Sequence, residues 1–142
     1  MKTRSRVPGW LLLLAISTLA IGACSHAPKG IAPVSGRVRL DGKPLAGAVI
    51  TFQPVRGTAT ADSAGGSFGH TDAEGRFTLR LVEPDVPGAA VGRHTVTITT
   101  AAIGPSDESR PSGERVPVSW RDGSQTFDVP AEGTSAANFD LP

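Results

Sequence analysis

The residue best suited to covalent chemistry is Cys24, the only cysteine of the 142-residue chain. A thiol can act as a nucleophile or a metal ligand, but a single cysteine cannot form an intramolecular disulfide. None of the three histidines begins the His-x-x-Glu pair that zinc peptidases use. We expect His94 to be a core residue bonded to backbone, and we expect His70, Asp72 and Glu74 to be too scattered to hold a metal ion. The sequence therefore predicts no catalytic centre, no metal and no cofactor.

Cys24 follows a segment with the three-part form of an export signal. The basic residues Lys2, Arg4 and Arg6 precede a twelve-residue apolar run, Trp10–Ile21. As a helix this run would span about 18 Å, whereas a hydrocarbon core of about 30 Å needs roughly 20 residues. We therefore interpret residues 1–23 as a cleaved signal peptide and not as a permanent membrane span.

The residues that end this segment resemble a bacterial lipobox. Ile21 is the aliphatic residue at position −3, Gly22 and Ala23 are the small residues before the cleavage site, and Cys24 is the acceptor of the lipid. The alternative is an unmodified cysteine at the end of an ordinary signal peptide. Several acyl chains on Cys24 would anchor the protein stably, because each buried methylene contributes about 0.8 kcal/mol. We predict a location outside the cytoplasm, at the inner or outer membrane of a bacterium.

The balance of basic and acidic residues indicates which classes of partner the protein can bind. The chain has 14 Lys+Arg and 13 Asp+Glu, and loss of residues 1–23 leaves 11 basic and 13 acidic groups, a net charge of −2. Nucleic-acid-binding domains usually carry a basic excess, so we predict that nucleic acid is not a partner. The predicted partners are the membrane, through the lipid, and an unidentified envelope protein or glycan.

In the segments that would position any site, apolar residues occur at every second position, as in β-strands. Residues 24–33 form the lipidated cysteine and a Pro-containing linker. From Val34 onward apolar and polar residues alternate as in half-buried strands, and Arg37 and Arg39 give the first strand a basic outer face. We predict Val82–Gly92 to be a loop. The predicted strands are Val34–Leu40, Ala48–Gln53, Phe68–Thr71, Arg76–Leu81, His94–Thr99, Gln125–Val129 and Ala136–Leu141.

Seven short strands with turn signals between them predict an all-β fold, an antiparallel seven-stranded β-sandwich over residues 34–142. In the strand Arg76–Leu81 we expect Phe77, Leu79 and Leu81 to face the core. The expected aromatic core consists of Phe52, Phe68, Phe77, Phe127 and Phe139, with Trp120 as a further candidate.

Five segments in order carry a family resemblance: Val34–Val38 (VSGRV), Asp41–Ala48 (DGKPLAGA), Phe52–Pro54 (FQP), Thr71–Phe77 (TDAEGRF) and Gly92–Val96 (GRHTV). Together they resemble the carboxypeptidase regulatory-like, or transthyretin-like, domain of small bacterial lipoproteins. The resemblance covers Pro33 to Leu141 and implies a transthyretin-like or Ig-like sandwich. It implies an accessory module without the catalytic zinc domain, and thus a structural or protein-interaction role and not an enzyme.

An alternative role depends on Trp120 and Arg121, which lie among polar residues near the end of the chain. An exposed Trp beside an Arg could stack on a sugar or anchor a peptide. The family often has a Tyr at the position of Trp120, which implies instead that Trp120 caps the open end of the sandwich. The carbohydrate- or peptide-binding role needs the first arrangement.

Overall fold

The computed structural model describes residues 29–58, 65–100 and 113–142, and it confirms an all-β fold. No helix in these residues is long and apolar enough to cross a membrane. A short 3-10 helix, Val118–Trp120, lies between the last two long strands. The strands are β1 (Ile31–Ala32), β2 (Ser35–Leu40), β3 (Lys43–Pro44), β4 (Val49–Pro54), β5 (Ser67–His70), β6 (Arg76–Thr78), β7 (Arg80–Leu81), β8 (Val86–Pro87), β9 (Ala89–Ala90), β10 (Gly92–Thr99), β11 (Gln125–Val129) and β12 (Phe139–Leu141).

The strands form two principal sheets and one extra pair. The large sheet has the order β11-β10-β4-β5-β7-β8 and is antiparallel throughout. The small sheet has the order β12-β2-β3, and β6 also pairs with β2. Strands β1 and β9 pair separately.

One pairing departs from the antiparallel prediction, because β12 runs parallel to β2. The backbone before β12 already lies beside the start of β2: Thr134 N–H donates to the Pro33 carbonyl at 2.8 Å, and Ser35 N–H donates to the Thr134 carbonyl at 2.9 Å. Thr134 is also in parallel register with Val34. The chain therefore runs parallel to β2 when β12 begins.

The predicted single strand Arg76–Leu81 is divided between the two sheets. Its first half is β6, which pairs with β2, and its second half is β7, which pairs with β5. At the crossing point Leu79 N–H donates to the Val34 carbonyl at 2.9 Å, and the Leu79 carbonyl accepts from Gly88 N–H at 2.8 Å. The side chains still alternate, so Phe77, Leu79 and Leu81 are buried as predicted.

The described chain is also ordered where a linker and a loop were predicted. Ile31 and Ala32 lie in β1 and are buried, although residues 24–33 were predicted to be linker. Their partner strand β9 and the short strand β8 lie within the predicted loop Val82–Gly92. Ile31 packs with Leu81 and Ala90 in a small apolar cluster, and Ala32 and Ala89 belong to the main apolar core, so both β1 and β9 are buried.

The main apolar core takes side chains from both sheets. Ile50, Phe52, Val96 and Ile98 come from the large sheet and are fully buried, and His94, on the same face of β10, is also inaccessible. The small sheet and the chain around it add further apolar residues, including Val38, Phe77, Ala137, Phe139 and Leu141.

Phe68 was predicted to be in the core, but 36% of it is exposed. The inward positions of its strand β5 are Ser67 and Gly69. A β-carbon on Gly69 would lie 2.7 Å from the Thr78 carbonyl oxygen, so the backbone after β6 leaves no space for a side chain there. The large ring in this strand therefore faces outward.

Glu114 attaches the chain after the segment 101–112 to the end of β10. Its carboxylate accepts hydrogen bonds from Thr100 N–H at 3.1 Å, the Thr100 hydroxyl at 2.8 Å, Val116 N–H at 2.8 Å and the Thr99 hydroxyl. Burial raises the pKa of Glu114, but these bonds favour the carboxylate more strongly and lower the pKa to about 2. The contact therefore persists at all but strongly acidic pH.

Candidate functional site

A polar concave surface lies on the outer face of the small sheet. We name it the basic groove; it has a volume of about 520 Å³, within the range usual for ligand sites. It is lined by Ser35, Gly36, Arg37, Arg39, Arg76, Thr78, Ser135, Asn138 and Asp140.

Strand pairing places the charges of this groove. Arg37 and Arg39 lie two residues apart on β2 and therefore on the same face, about 7 Å from each other along the strand. Arg76 on β6 is directly opposite Arg37, and Asp140 on β12 is directly opposite Arg39. In an antiparallel pair such as Arg37 and Arg76 the β-carbons are about 5 Å apart, and neighbouring strands such as β2 and β12 lie about 4.8 Å apart, so three arginines and one aspartate share a small area.

Two identical charges face each other at the centre of the basic groove. Cross-strand pairs of like charge destabilise a sheet, yet Arg37 and Arg76 form such a pair. In residues 29–58, 65–100 and 113–142, the guanidinium groups of Arg37, Arg39 and Arg76 make no hydrogen bond or ion pair. The groove therefore contains several N–H donors that have no partner within these residues.

The arginines of the large sheet are different. Arg80 Nε lies 2.8 Å from an Asp85 carboxylate oxygen, and Arg93 Nε lies 3.1 Å from an Asp128 carboxylate oxygen. The hydrogen bond and the charge of Asp85 raise the pKa of Arg80, and Asp128 acts in the same way on Arg93. The basic groove thus concentrates arginines that lack the partners found on the other sheet.

The floor of the groove requires a glycine. A β-carbon on Gly36 would lie 1.9 Å from the Ala137 carbonyl oxygen, so only glycine lets the chain before β12 approach β2 this closely. Asn138 fixes the same approach, because its side-chain oxygen accepts a hydrogen bond from Arg37 N–H at 3.1 Å. The Asn138 NH₂ group remains a donor at the groove wall.

A tight turn positions Arg76. The Asp72 carboxylate accepts from Glu74 N–H at 3.0 Å and from Arg76 N–H at 2.8 Å. Gly75 has a φ of 73°, the left-handed conformation that favours glycine. Asp72 and Glu74 are therefore turn residues, and neither they nor His70 belong to a potential metal cluster in the described part of the chain.

The structure places Trp120 and Arg121 apart from the basic groove and engages both in the fold. The Trp120 ring is half-buried and packs edge-on against Phe139, with ring centroids 5.7 Å apart. Arg121 Nε donates to the Val116 carbonyl at 2.9 Å. The ligand contact proposed for these two residues stays a prediction. The predicted lipidation site, Cys24 with Ile21, Gly22 and Ala23, lies outside the described residues.

Ser67 is not among the residues predicted above, although its segment GGSFG matches the Gly-x-Ser-x-Gly pattern of hydrolase nucleophiles. Such a nucleophile sits exposed on a sharp turn from strand to helix. Ser67 instead begins β5, is 1% exposed, and its hydroxyl has no hydrogen-bond partner. Its cross-strand partners are Phe52 on β4 and Leu81 on β7, so β4 separates it from His94 on β10. The geometry of a nucleophile elbow is not formed at Ser67.

The sequence predicted only in part which arginines form the basic groove. The alternation of Val34–Leu40 indicated that Arg37 and Arg39 face outward, and the same rule applied to Arg76. The pattern did not indicate that β6 pairs with β2, which brings Arg76 opposite Arg37. Comparison with protein-family models, with curated proteins and with solved structures finds no match to this chain.

Proposed function

We propose that this chain is a lipid-anchored, extracytoplasmic bacterial module that has a structural or interaction role and performs no catalysis. The anchoring part is supported by the order of basic residues, apolar run, Ile21–Ala23 and Cys24. The proposed architecture is a transthyretin-like β-sandwich, supported by two sheets that contribute to one apolar core.

The interaction role is carried by the basic groove. Arg37 and Arg76 are like charges directly opposite each other on β2 and β6, and in the described chain no carboxylate lies within hydrogen-bonding distance of their guanidinium groups. A fold keeps such a pair at a cost in stability, which binding of an anion would offset. The groove therefore supports an interaction role, and Ser67 in the described chain lacks the geometry of a nucleophile elbow.

The other binding role, a carbohydrate or peptide held by Trp120 and its loops, has less support. The Trp120 ring contacts Phe139, and the Arg121 guanidinium is used by the Val116 carbonyl. A ligand there would have to compete with contacts of the fold itself.

The anchoring part is tested by the intact mass of the protein from detergent-solubilised membranes of its own host. We expect a chain that begins at Cys24 and carries added acyl mass. Cys24→Ala should lack that mass and retain residues 1–23, because lipid addition precedes cleavage at a lipobox. Ser25→Ala, one residue further on, is the matched control and should be processed normally. A wild-type chain that begins near residue 24 without acyl mass would refute the lipid anchor.

A further inference from the structure

The charge of the basic groove defines the charge of its ligand. Three arginines and one aspartate, Arg37, Arg39, Arg76 and Asp140, give the groove a net charge of +2. Guanidinium groups are permanently charged and bind carboxylates or phosphates through paired N–H donors. An anion with a single charge would leave half of this excess unbalanced. The groove is therefore matched to a dianion.

We infer that the basic groove binds a phosphate monoester group carried by a sugar or polyol. Arg37 and Arg76, directly opposite each other, would donate to two oxygens of one phosphate. Arg39, two residues along β2, would approach a third oxygen, and Asp140 opposite it would accept a hydrogen bond from a hydroxyl of the alcohol. This inference deepens the proposed interaction role and rests on it, but it does not depend on the lipid anchor.

The lining of the groove favours a phosphate on a hydroxyl-bearing group over a membrane surface. Besides the arginines, the walls present the Ser35, Thr78 and Ser135 hydroxyls and the Asn138 amide, all suited to hydroxyl partners. None of the lining side chains is a large apolar group that could enter a bilayer. A concave volume of about 520 Å³ also suits a discrete ligand better than the flat array of headgroups.

The test is a titration of the detergent-solubilised full chain with glycerol 1-phosphate. The arginine Nε–H signals in NMR spectra are the readout. We expect saturable shifts at Arg37, Arg39 and Arg76. Arg37→Gln and Arg76→Gln should each weaken binding about tenfold or more, since each removes charge-assisted hydrogen bonds. The matched controls are Arg80→Gln and Arg93→Gln, which remove paired arginines of the large sheet and should leave the affinity unchanged.

The pH dependence gives a second readout. The second pKa of a phosphate monoester is about 6, whereas a guanidinium group remains charged across this pH range. Affinity should therefore rise between about pH 5 and pH 8. Shifts that do not saturate, or that are equally large at Arg80 and Arg93, would overturn the inference.

Two further ligands separate this inference from the broader proposal. Saturable binding of malonate, but not of glycerol 1-phosphate, at the same arginines would refute the phosphate and leave an interaction role intact. Binding of neither ligand would count against both. Binding to vesicles that contain phosphatidic acid without binding of the free ester would replace the sugar or polyol phosphate with a lipid headgroup.

Discussion

At the scale of single residues, His94 is a buried imidazole with one unused nitrogen. Its Nδ1 lies 3.0 Å from the Gly92 carbonyl oxygen, which can only accept, so Nδ1 carries the hydrogen and Nε2 is the bare nitrogen. Nε2 is buried and has no hydrogen-bond partner. Burial lowers the pKa of His94 from 6.5, and the Gly92 carbonyl and Asp128 oppose that shift only in part.

The lowered pKa makes stability depend on pH in one direction. Well above pH 6.5 the histidine is neutral in both the folded and the unfolded chain, so it adds no pH dependence there. Below that value the unfolded chain takes up a proton that the folded chain resists, and the free energy of unfolding falls. We expect this loss in urea unfolding between pH 7 and pH 5.

Two histidine variants test the assignment. His94→Gln should reduce the slope of stability against pH, and His70→Gln, on the exposed face of β5, is the matched histidine control. An unchanged slope in His94→Gln would assign the effect to another group. The inward position and the backbone bond of His94 were predicted from the alternation of β10 and are confirmed. The bare Nε2 was not predictable, because it depends on which side chains of other strands surround the ring.

At the scale of elements, the segment of β6 and β7 joins the two sheets, and every second side chain in it, Phe77, Leu79 and Leu81, faces inward. Phe77 on β6 is 3% exposed and stacks on Phe139 of β12, with ring centroids 6.1 Å apart. Phe77→Ala should lower the free energy of unfolding by about 3 to 5 kcal/mol, as for other buried Phe to Ala changes. Chemical denaturation measures this directly.

The matched control is Phe68→Ala on the exposed face of β5. Because 36% of Phe68 is accessible, its loss leaves no closed cavity and should cost less than about 1.5 kcal/mol. Equal losses in the two variants would mean that Phe77 is not a central core residue.

Alternation predicted which residues face inward more reliably than it predicted strand partners. Phe77, Leu79 and Leu81 are buried whether or not the strand changes sheets at Leu79. The change itself depends on Val34 and Gly88, which bond to the Leu79 backbone from distant parts of the chain. For the same reason the alternation of apolar and polar residues in β12 could not indicate that this strand pairs in parallel with β2.

At the scale of the whole molecule, the distribution of charge matters more than its sum. The predicted mature chain is slightly acidic, yet its small sheet collects arginines without partners while its large sheet pairs Arg80 and Arg93 with carboxylates. Composition could not reveal this difference, because the cluster exists only once β2, β6 and β12 are adjacent.

The arginine cluster should lower stability in the absence of a ligand. Arg76→Gln removes the repulsion with Arg37 and should raise the free energy of unfolding by about 0.2 to 1 kcal/mol at low ionic strength. The gain should shrink at about 1 M salt, where charges are screened within about 3 Å. Thermal unfolding at the two salt concentrations measures the difference.

Arg80→Gln provides the comparison, since it breaks the ion pair with Asp85 and should not stabilise the protein. If Arg76→Gln were destabilising at low salt, the guanidinium would have to contribute favourable contacts that outweigh its repulsion with Arg37.

The Glu114 carboxylate, which bonds to Thr99, Thr100 and Val116, determines where the chain can accept inserted residues. Because it fastens the chain on either side of residues 101–112, the ends of that connection stay fixed whatever lies between them. Lengthening a connection between fixed ends costs closure entropy only slowly, about 0.6 kcal/mol for each doubling of its length. Insertions between Thr100 and Gly113 should therefore be tolerated, which makes this position suitable for a displayed peptide tag.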